Sequence, residues 1–220
     1  MMTDAMMSEL PPGSPSEPDK NLEIEVKFYK TAAEWVTLPA SLEQIGAVLT
    51  APRVYERNVR YENSSYSLTA AHKVIRLRQD SRVRLTYKEP SAAPINGVQA
   101  RTELEVTVSD FETMDAILGK LGYFPAWEYE KYRTTYTWNE TEIVLDEMPY
   151  GYFVEIEGPS SQIEAAIQSL NWDKQPRIKA SYSDLFFQLK ARLGLRFIHL
   201  TFENFKDVAL PADANEWLKS

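Results

Sequence analysis

Apolar and charged residues alternate along much of the chain, beginning with the segment NLEIEVKFYK at residues 21–30. Its even-numbered positions are apolar from Leu22 to Phe28, whereas positions 23, 25 and 27 carry charge, which is the period of a β-strand with one apolar face. Similar patterns predict seven further strands, in the segments RVYERNVRYEN, KVIRLRQ, SRVRLTYKEP, ARTELEVTVSD, EYEKYRTTYTW, TEIVLDEMP and YGYFVEIEG.

A longer apolar period predicts helices between and after these strands. The segment TAAEWVTLPASLEQIGAVLT suits one or two short helices interrupted near Pro39, and SDFETMDAILGKLGY begins at a cap of Ser109 or Asp110. We expect Ser160 to cap the helix SSQIEAAIQSLNW and Gly194 to end the helix SYSDLFFQLKARLG. The stretch after Gly194 has no clear period.

The charged faces of the strands are sorted by sign. Arg76 and Arg78 share one face of their strand, and Glu103 and Glu105 share one face of another. Further same-face groups are Lys131 with Arg133, Glu155 with Glu157, and the row of Arg82, Arg84, Thr86 and Lys88, while Asp146 sits opposite Leu145.

Two arrangements would place such faces. One is a sheet with a packed face and a solvated face, which is the ordinary explanation for any single strand. A solvated face normally mixes Lys, Thr, Ser, Gln and Glu, however, and the predicted helices need an apolar surface to lie on. We therefore predict an α+β fold, an eight-stranded antiparallel β-barrel with helices packed outside and a charged interior. Ile24, Ile75, Leu77, Leu104 and Ile156 should then face outward under helices.

A charged interior limits what can fill it. Buried charges are costly unless they are paired, hydrogen-bonded or bound to ions. Carboxylates hold hard divalent cations through oxygen, whereas Arg and Lys bind phosphate oxygens. Acids and bases in one cavity therefore predict a site for a metal-complexed polyphosphate.

The composition excludes several other classes. The 220 residues, 44% of them hydrophobic, suit one globular domain. The net charge of -8 argues against general binding to nucleic acid or an anionic membrane, and no apolar run approaches the roughly 20 residues of a membrane span. The chain has no Cys, which excludes thiolate chemistry and fits a cytoplasmic protein, and its two His argue against a histidine-rich metal site.

The ends of the chain differ from its middle. Residues 1–20, MMTDAMMSELPPGSPSEPDK, are rich in Pro, Ser and acidic residues, which is typical of a disordered leader and unlike a secretory signal. We therefore predict a leader at 1–20, one domain at 21–195 and a C-terminal extension of unknown role at 196–220.

The charged motifs, in their order along the chain, resemble the CYTH family, the triphosphate tunnel metalloenzymes. Glu23-x-Glu25-x-Lys27 is similar to the family's ExExK signature, which would be weak evidence alone. The later matches are RLR at 76–78, LTYK ending at Lys88, ELEV at 103–106, KYR at 131–133, LDEMPYGYFVEIEG at 145–158 and SYSDL at 181–185. The resemblance covers about residues 21–192, and the leader and tail have no counterpart in it.

One segment departs from the family pattern. The stretch before Arg76 lacks the acidic, proline-containing loop of many relatives, and Arg57 and Arg60 occupy its strand. These two arginines either add phosphate ligands or lie at the surface.

The resemblance implies an eight-stranded antiparallel tunnel and a role for each matching residue. Glu23, Glu25 and Glu157 would bind Mg²⁺ or Mn²⁺. The triphosphate would be held by Lys27, Arg76, Arg78, Lys88, Lys131 and Arg133. A second metal, or the attacking water, would be held by Glu103, Glu105, Asp146 and Glu155. Arg133 and Glu155 have a structural alternative, which is a salt bridge between strands.

Three functions are compatible with these motifs. The first is metal-dependent hydrolysis of inorganic triphosphate, thiamine triphosphate or a nucleoside triphosphate by direct attack of water, since no Ser–His or Cys–His couple is evident. The second is class IV adenylate cyclase activity, for which the sequence offers no evident base-recognition motif. The third is a non-catalytic polyphosphate or nucleotide sensor, against which the many carboxylates argue. In each case the partner is a small-molecule triphosphate, and the sequence indicates no oligomeric state.

Overall fold

The computed structural model describes residues 22–91, 100–211 and 214–218. These residues form eight strands and seven helices, in the order β1 (Leu22–Lys30), α1 (Ala32–Gln44), β2 (Val48–Asn63), α2 (Ser67–Ala70), β3 (Val74–Gln79), β4 (Val83–Pro90), β5 (Ala100–Val108), α3 (Phe111–Lys120), β6 (Tyr123–Trp138), β7 (Thr141–Met148), β8 (Gly151–Glu157), α4 (Ser160–Ser169), α5 (Tyr182–Leu193), α6 (Phe202–Phe205) and α7 (Ala214–Trp217). The predicted leader and nearly all of the predicted loop SAAPINGVQ lie outside the described residues. No helix in the described part of the chain is long and apolar enough to cross a membrane.

The strands close into the predicted antiparallel barrel. Their order around the ring is β1-β5-β4-β3-β2-β6-β7-β8, and β8 pairs with β1 to complete it. The register places the charged positions of neighbouring strands side by side: Glu25 faces Glu157 and Lys27 faces Glu155 across β1 and β8. Lys88 likewise faces Glu103 across β4 and β5. The alternation therefore directs charges from neighbouring strands into one lumen.

The apolar faces of most strands are covered by helices. On one side, α1 and α4 pack on the outside of β1, β7 and β8, where Ile156 is fully buried. On another side, Phe111 and Leu118 of α3 cover Leu77 of β3, which is also fully buried. Ile24 and Ile75 are partly buried at the edges of these two clusters. These four residues agree with the prediction.

Leu104 contradicts the prediction that a helix covers it. It points outward from β5 but is 50% exposed, and Val106 beside it is 55% exposed. The helix that follows β5 packs toward β2 and β3 instead of folding back over its own strand, because Phe111 and Leu118 join the cluster around Val59 and Leu77. The outer face of β5 at Leu104 and Val106 is therefore not buried by the described residues.

Two helix details also differ from the sequence prediction. Helix α1 runs without a break from Ala32 to Gln44 with Pro39 inside it, because Leu38 and Leu42 hold the helix on the barrel from both sides of the proline. Helix α4 begins one residue earlier than expected, with Pro159 at the N-cap, and the side chain of Ser160 does not cap it. By contrast, Asp110 caps α3 and Gly194 ends α5, as predicted.

The segment without a clear period packs against β6. The backbone N–H of Leu200 donates to the carbonyl oxygen of Glu128 at 2.9 Å, and Glu130 N–H donates to the carbonyl oxygen of Leu200 at 2.9 Å. Leu200 and Phe205 are buried in the same cluster as Phe186 of α5. The residues set apart as an extension therefore contribute to the apolar cluster around α5.

Gly158 anchors the end of β8 beside the start of β1. Its N–H donates to the carbonyl oxygen of Ile24 at 3.2 Å, and its φ of +147° is one that side chains rarely adopt. A Cβ at this position would lie 2.7 Å from the carbonyl oxygen of Glu140. Only Gly fits here without a shift of backbone.

We expect Gly158→Ala to lower the free energy of unfolding by about 1–3 kcal/mol, through strain and the clash with Glu140. Urea denaturation measures the effect. Gly119→Ala is the matched control: a Cβ there meets nothing within 4 Å, and Ala in α3 should be neutral or stabilise by up to about 1 kcal/mol. Equal stabilities of the two variants would contradict this account.

Candidate functional site

The lumen contains a cavity of about 470 Å³ to which all eight strands and the start of α5 contribute. Twelve of the predicted site residues line it: Glu23, Glu25, Lys27, Arg76, Arg78, Lys88, Glu103, Glu105, Lys131, Arg133, Glu155 and Glu157. The thirteenth, Asp146, is fully buried and is not among the lining residues. The sequence motifs therefore converge on one cavity, and Asp146 is buried beside that cavity without lining it.

Asp146 binds two of the cations that line the cavity, Lys131 and Arg133. Its carboxylate accepts hydrogen bonds from Lys131 Nζ at 2.8 Å, from Arg133 Nη2 at 2.6 Å and from the hydroxyl of Tyr182 at 3.0 Å. Although burial would raise the pKa of Asp146, the charges of Arg133 and Lys131 lower it well below its usual range. Asp146 thus fixes the positions of Lys131 and Arg133 without lining the cavity itself.

Arg133 also bridges to β8. Its Nη2 atom donates to Glu155 Oε2 at 2.8 Å, so the salt bridge considered as a structural alternative is present. Both side chains nevertheless line the cavity. Lys27 Nζ lies 3.3 Å from Glu155 Oε1, which places Glu155 between two cations.

Glu56 is a buried acidic residue that the sequence analysis did not assign to the site. It is 1% exposed, and its carboxylate lies 3.7 Å from both Lys131 Nζ and Arg78 Nη1. Burial acts to raise the pKa of Glu56, but Lys131, Arg133 and Arg78 together lower it to about 2. The alternation of β2 places Glu56, Asn58 and Arg60 on one face of that strand, but it does not show by itself that this face points into the barrel.

Carboxyl groups are crowded near the start of β1. Lys88 Nζ contacts Glu23 Oε2 at 2.6 Å and Glu103 Oε2 at 2.5 Å. Burial and a hydrogen bond to Glu103 raise the pKa of Glu23 to about 8, so Glu23 keeps its proton at neutral pH. Burial, reinforced by Glu142 and Glu25, also raises the pKa of Glu157, to about 7. This part of the cavity therefore has more carboxyl groups than positive charge to compensate them.

The predicted metal ligands fit a divalent cation by their chemistry but are not gathered around one point. Glu25 and Glu157 are direct neighbours across β1 and β8, and their oxygens are the donors that Mg²⁺ and Mn²⁺ prefer. Glu23 is instead bound to Lys88. Within the described residues, no three acidic or histidine side chains already lie close enough together to hold a metal ion.

Several lining residues were missed or left open by the sequence analysis. Arg60 faces the cavity, whereas Arg57 points outward and pairs with Glu128 at 2.6 Å, which resolves the alternatives left for these two residues. The other lining residues that were not predicted are Val74, Arg82, Arg84, Arg101, Trp127, Tyr129, Glu142, Ser181, Tyr182 and Ser183.

Comparison with known proteins agrees with this architecture. Residues 21–184 match the family model described as the CYTH domain. The chain is 26% identical over 143 residues to a "putative adenylate cyclase" of Methanocaldococcus jannaschii, a match that covers 60% of this chain and 81% of that protein.

Solved structures share the fold. One is a "putative adenylate cyclase" of Vibrio parahaemolyticus, with a TM-score of 0.63, 19% identity, and coverage of 74% of this chain and 95% of that chain. Another is a "putative adenylyl cyclase" of Hippeastrum, described as revealing a dominant triphosphatase activity. Its TM-score is 0.53 at 15% identity, with coverage of 80% of this chain and 97% of that chain.

The raised pKa of Glu157 predicts how stability changes with pH in the metal-free protein. The native state holds a proton on Glu157 up to about pH 7, whereas the unfolded state releases it near 4.5. The stability this group contributes is thus present below its unfolded pKa and is lost as the pH rises through about 7. Urea denaturation in chelator should find Glu157→Gln close to the wild type near pH 5 and more stable by on the order of 1–3 kcal/mol near pH 8.

Glu43→Gln is the control, because Glu43 is exposed on α1. It should show none of the gain in stability near pH 8 that is expected of Glu157→Gln. A Glu157→Gln difference that is constant between pH 5 and pH 8 would show that the native protein does not raise the pKa of Glu157.

Proposed function

The chain belongs to the CYTH domain family, and from this premise we propose that it hydrolyses a triphosphate with the help of a divalent metal. The observation that carries the proposal is one closed lumen in which six predicted phosphate-binding cations and several carboxylates face the same cavity. Phosphoryl transfer depends on positioning and on neutralising charge more than on covalent chemistry. Such a cavity supplies both.

The cations would bind and align the phosphate chain. Arg76 is 8% exposed, and its guanidinium donates to the hydroxyls of Tyr129 at 3.2 Å and Thr86 at 3.3 Å. Those bonds orient a planar group that can bind two phosphate oxygens at once. Lys131 and Arg133 are fixed in the same way by Asp146.

Glu23, Glu25 and Glu157 would hold Mg²⁺ or Mn²⁺. When bound, the cation supplies positive charge at the phosphate oxygens and a site for water. Because Glu23 and Glu157 carry raised pKa values, they would release protons when a cation binds. Glu105, which accepts a hydrogen bond from Thr86 at 2.9 Å, is placed to orient water in the cavity.

ATP cyclisation is the second candidate. It is favoured by the name of the curated relative, a "putative adenylate cyclase". The same cavity would hold the triphosphate, with a ribose hydroxyl in place of water as the nucleophile. The Hippeastrum protein, described as having a dominant triphosphatase activity, supports hydrolysis over cyclisation.

Product analysis separates these functions. The purified protein is offered inorganic triphosphate, thiamine triphosphate and ATP in parallel, each with Mg²⁺, with Mn²⁺ and with chelator. We expect orthophosphate from at least one substrate, and none in chelator, because the carboxylates and phosphates then lack a neutralising cation. Cyclic AMP would establish the cyclase instead, and binding without turnover would establish a sensor.

Arg76→Lys tests the role of the phosphate-binding cations. Lys cannot bind two oxygens in the geometry of a guanidinium. We therefore expect kcat/KM to fall by the equivalent of about 2–4 kcal/mol, with kcat lowered as well as affinity. Steady-state kinetics measure the loss, and a thermal melt shows whether the fold is retained.

Arg53→Lys is the matched control, because Arg53 pairs with Glu147 and its side chain is 50% exposed. It should leave the kinetics unchanged. Unchanged kinetics and unchanged triphosphate binding in Arg76→Lys would remove Arg76 from the site.

A further inference from the structure

Two carboxylates flank the cations of β6 without lining the cavity. Strands β2 and β7 are the neighbours of β6 in the barrel, and their registers place Glu56 beside Lys131 and Asp146 beside Arg133. Both carboxylates are buried, and neither belongs to the residues that line the cavity in the described part of the chain. They can therefore act on a ligand only through the neighbouring cations and through their charge.

The two carboxylates contact these cations differently. Asp146 accepts hydrogen bonds from Lys131 Nζ at 2.8 Å and from Arg133 Nη2 at 2.6 Å. The carboxylate of Glu56 lies 3.7 Å from Lys131 Nζ, 3.7 Å from Arg78 Nη1 and 4.0 Å from Arg133 Nε, and these distances are longer than a hydrogen bond. Its Oε2 atom accepts no hydrogen bond from any described residue. Glu56 therefore compensates three cations by charge without fixing their orientation.

Glu56 is ionised and poorly screened. Burial acts to raise its pKa, but Lys131, Arg133 and Arg78 hold it at about 2, so the side chain is negatively charged at neutral pH. Because water barely reaches the side chain, its charge is screened less than that of a surface residue. Its three cationic neighbours are among the six residues predicted to hold the triphosphate. Half of that set therefore lies beside a negative charge that belongs to the protein.

Arg78 depends most on Glu56. Among the described residues, Glu56 is the only one whose carboxylate lies within ion-pair distance of Arg78. A second contact of the guanidinium is a hydrogen bond from its Nε to Asn58 Oδ1 at 3.3 Å. Burial and the charges of Arg76 and Arg133 lower the pKa of Arg78, whereas Glu56 raises it. A phosphate that binds Arg78 therefore meets a guanidinium that already has a negative partner.

We propose that Glu56 limits the affinity of the lumen for phosphate, so that orthophosphate and the remaining product can leave after hydrolysis. Glu56 compensates Arg78, Lys131 and Arg133 while the cavity is empty, and it stays beside them as a negative charge when a phosphate binds. Repulsion between this charge and the phosphate then opposes the attraction of the three cations. The inference rests on the proposed function, because it takes these cations to bind phosphate. Glu56 itself touches no ligand.

Titration calorimetry in chelator, at one ionic strength, measures the affinity for inorganic triphosphate and for orthophosphate without turnover. Gln nearly preserves the shape of Glu but removes its charge, so Glu56→Gln should bind both ligands more tightly. We expect the dissociation constant for triphosphate to fall about tenfold, which is the scale for a unit charge several ångströms from the ligand at the effective dielectric constant of a protein. The constant for orthophosphate should fall by a smaller factor, because this ligand carries less charge. If Glu56 instead held the cations in place, its loss would weaken binding.

Asn58→Asp is the converse test. Asn58 is fully buried on the same face of β2 as Glu56, it does not line the cavity, and its Nδ2 group has no hydrogen-bond partner among the described residues. Asp has nearly the same shape but adds a negative charge next to Arg78 Nε, which already contacts Asn58 Oδ1. We expect Asn58→Asp to bind triphosphate about tenfold more weakly. The two variants change the charge of the same strand in opposite directions.

Glu128→Gln is the matched control. It removes the same charge from the outer face of β6, where Glu128 pairs with Arg57 at 2.6 Å, and its affinities should equal those of the wild type. A thermal melt of each variant establishes that it is folded. If either Glu56→Gln or Asn58→Asp does not fold, the other variant decides.

Several results would overturn the proposal. An unchanged affinity in folded Glu56→Gln is one, and a weaker affinity is another, which would make Glu56 a positioning residue like Asp146. Folded Asn58→Asp that binds triphosphate as tightly as the wild type, or more tightly, would also contradict it. So would the absence of binding by both the wild type and folded Glu56→Gln, since the cations beside Glu56 would then not hold phosphate.

Kinetics with Mg²⁺ or Mn²⁺ separate this inference from the proposed hydrolysis. If both hold, Glu56→Gln should lower KM for the triphosphate without raising kcat, because the charge of Glu56 repels the phosphate chain in the ground state and in the transition state alike. Tighter binding by Glu56→Gln in a protein that turns over no triphosphate would support the limit on affinity and reject the hydrolase. Turnover by the wild type, with unchanged affinity in Glu56→Gln, would retain the hydrolase and reject the inference.

Discussion

Charge compensation inside a closed lumen is the constraint on which this structure depends. The alternation of eight strands sends many cations and carboxylates into one interior, where an isolated charge is costly. Asp146 shows how the cost is met, since its fully buried carboxylate is shared by Lys131 and Arg133 and accepts a hydrogen bond from Tyr182. Because Tyr182 comes from α5 and the other groups from β6 and β7, the same contacts hold the helix in the end of the barrel.

The barrel itself could be predicted from sequence because its information is local. Alternation within each strand distinguishes an apolar face from a charged face, and the helices need the apolar faces to point outward so that they can pack on them. Alternation does not show which strand a given helix will cover. Leu104 has the same pattern as Leu77, yet Leu77 is buried and Leu104 is half exposed, because α3 packs on β3 and does not cover the middle of β5. The stretch around Leu200 was unpredictable for a related reason: its burial depends on a bridge to Tyr129 on a strand about seventy residues earlier.

The candidate site was predicted as far as its residues occur in same-face doublets or family motifs. Arg76 with Arg78 is such a doublet, and both side chains line the cavity. Glu56 and Arg60 also point inward, but on their strand Asn58 stands between them and Arg57 beside them carries a charge on the opposite face. With charges on both faces of the strand, the sequence alone does not show which face points into the barrel. The inward direction of Glu56 follows only from the pairing of β2 with β6, which places it beside Lys131.

Under the proposed function, the ion pairing inside the lumen would also link the binding of a phosphate chain to the binding of a cation. Lys88 compensates both Glu23 and Glu103, so a phosphate that draws Lys88 away leaves two carboxyl groups without their cation. Glu23 and Glu157, whose pKa values are already raised by burial, would then gain the most from a divalent ion. If both ligands bind, the cation compensates the carboxyl groups that the phosphate deprives of Lys88. By linkage, each ligand must then raise the affinity for the other by the same factor.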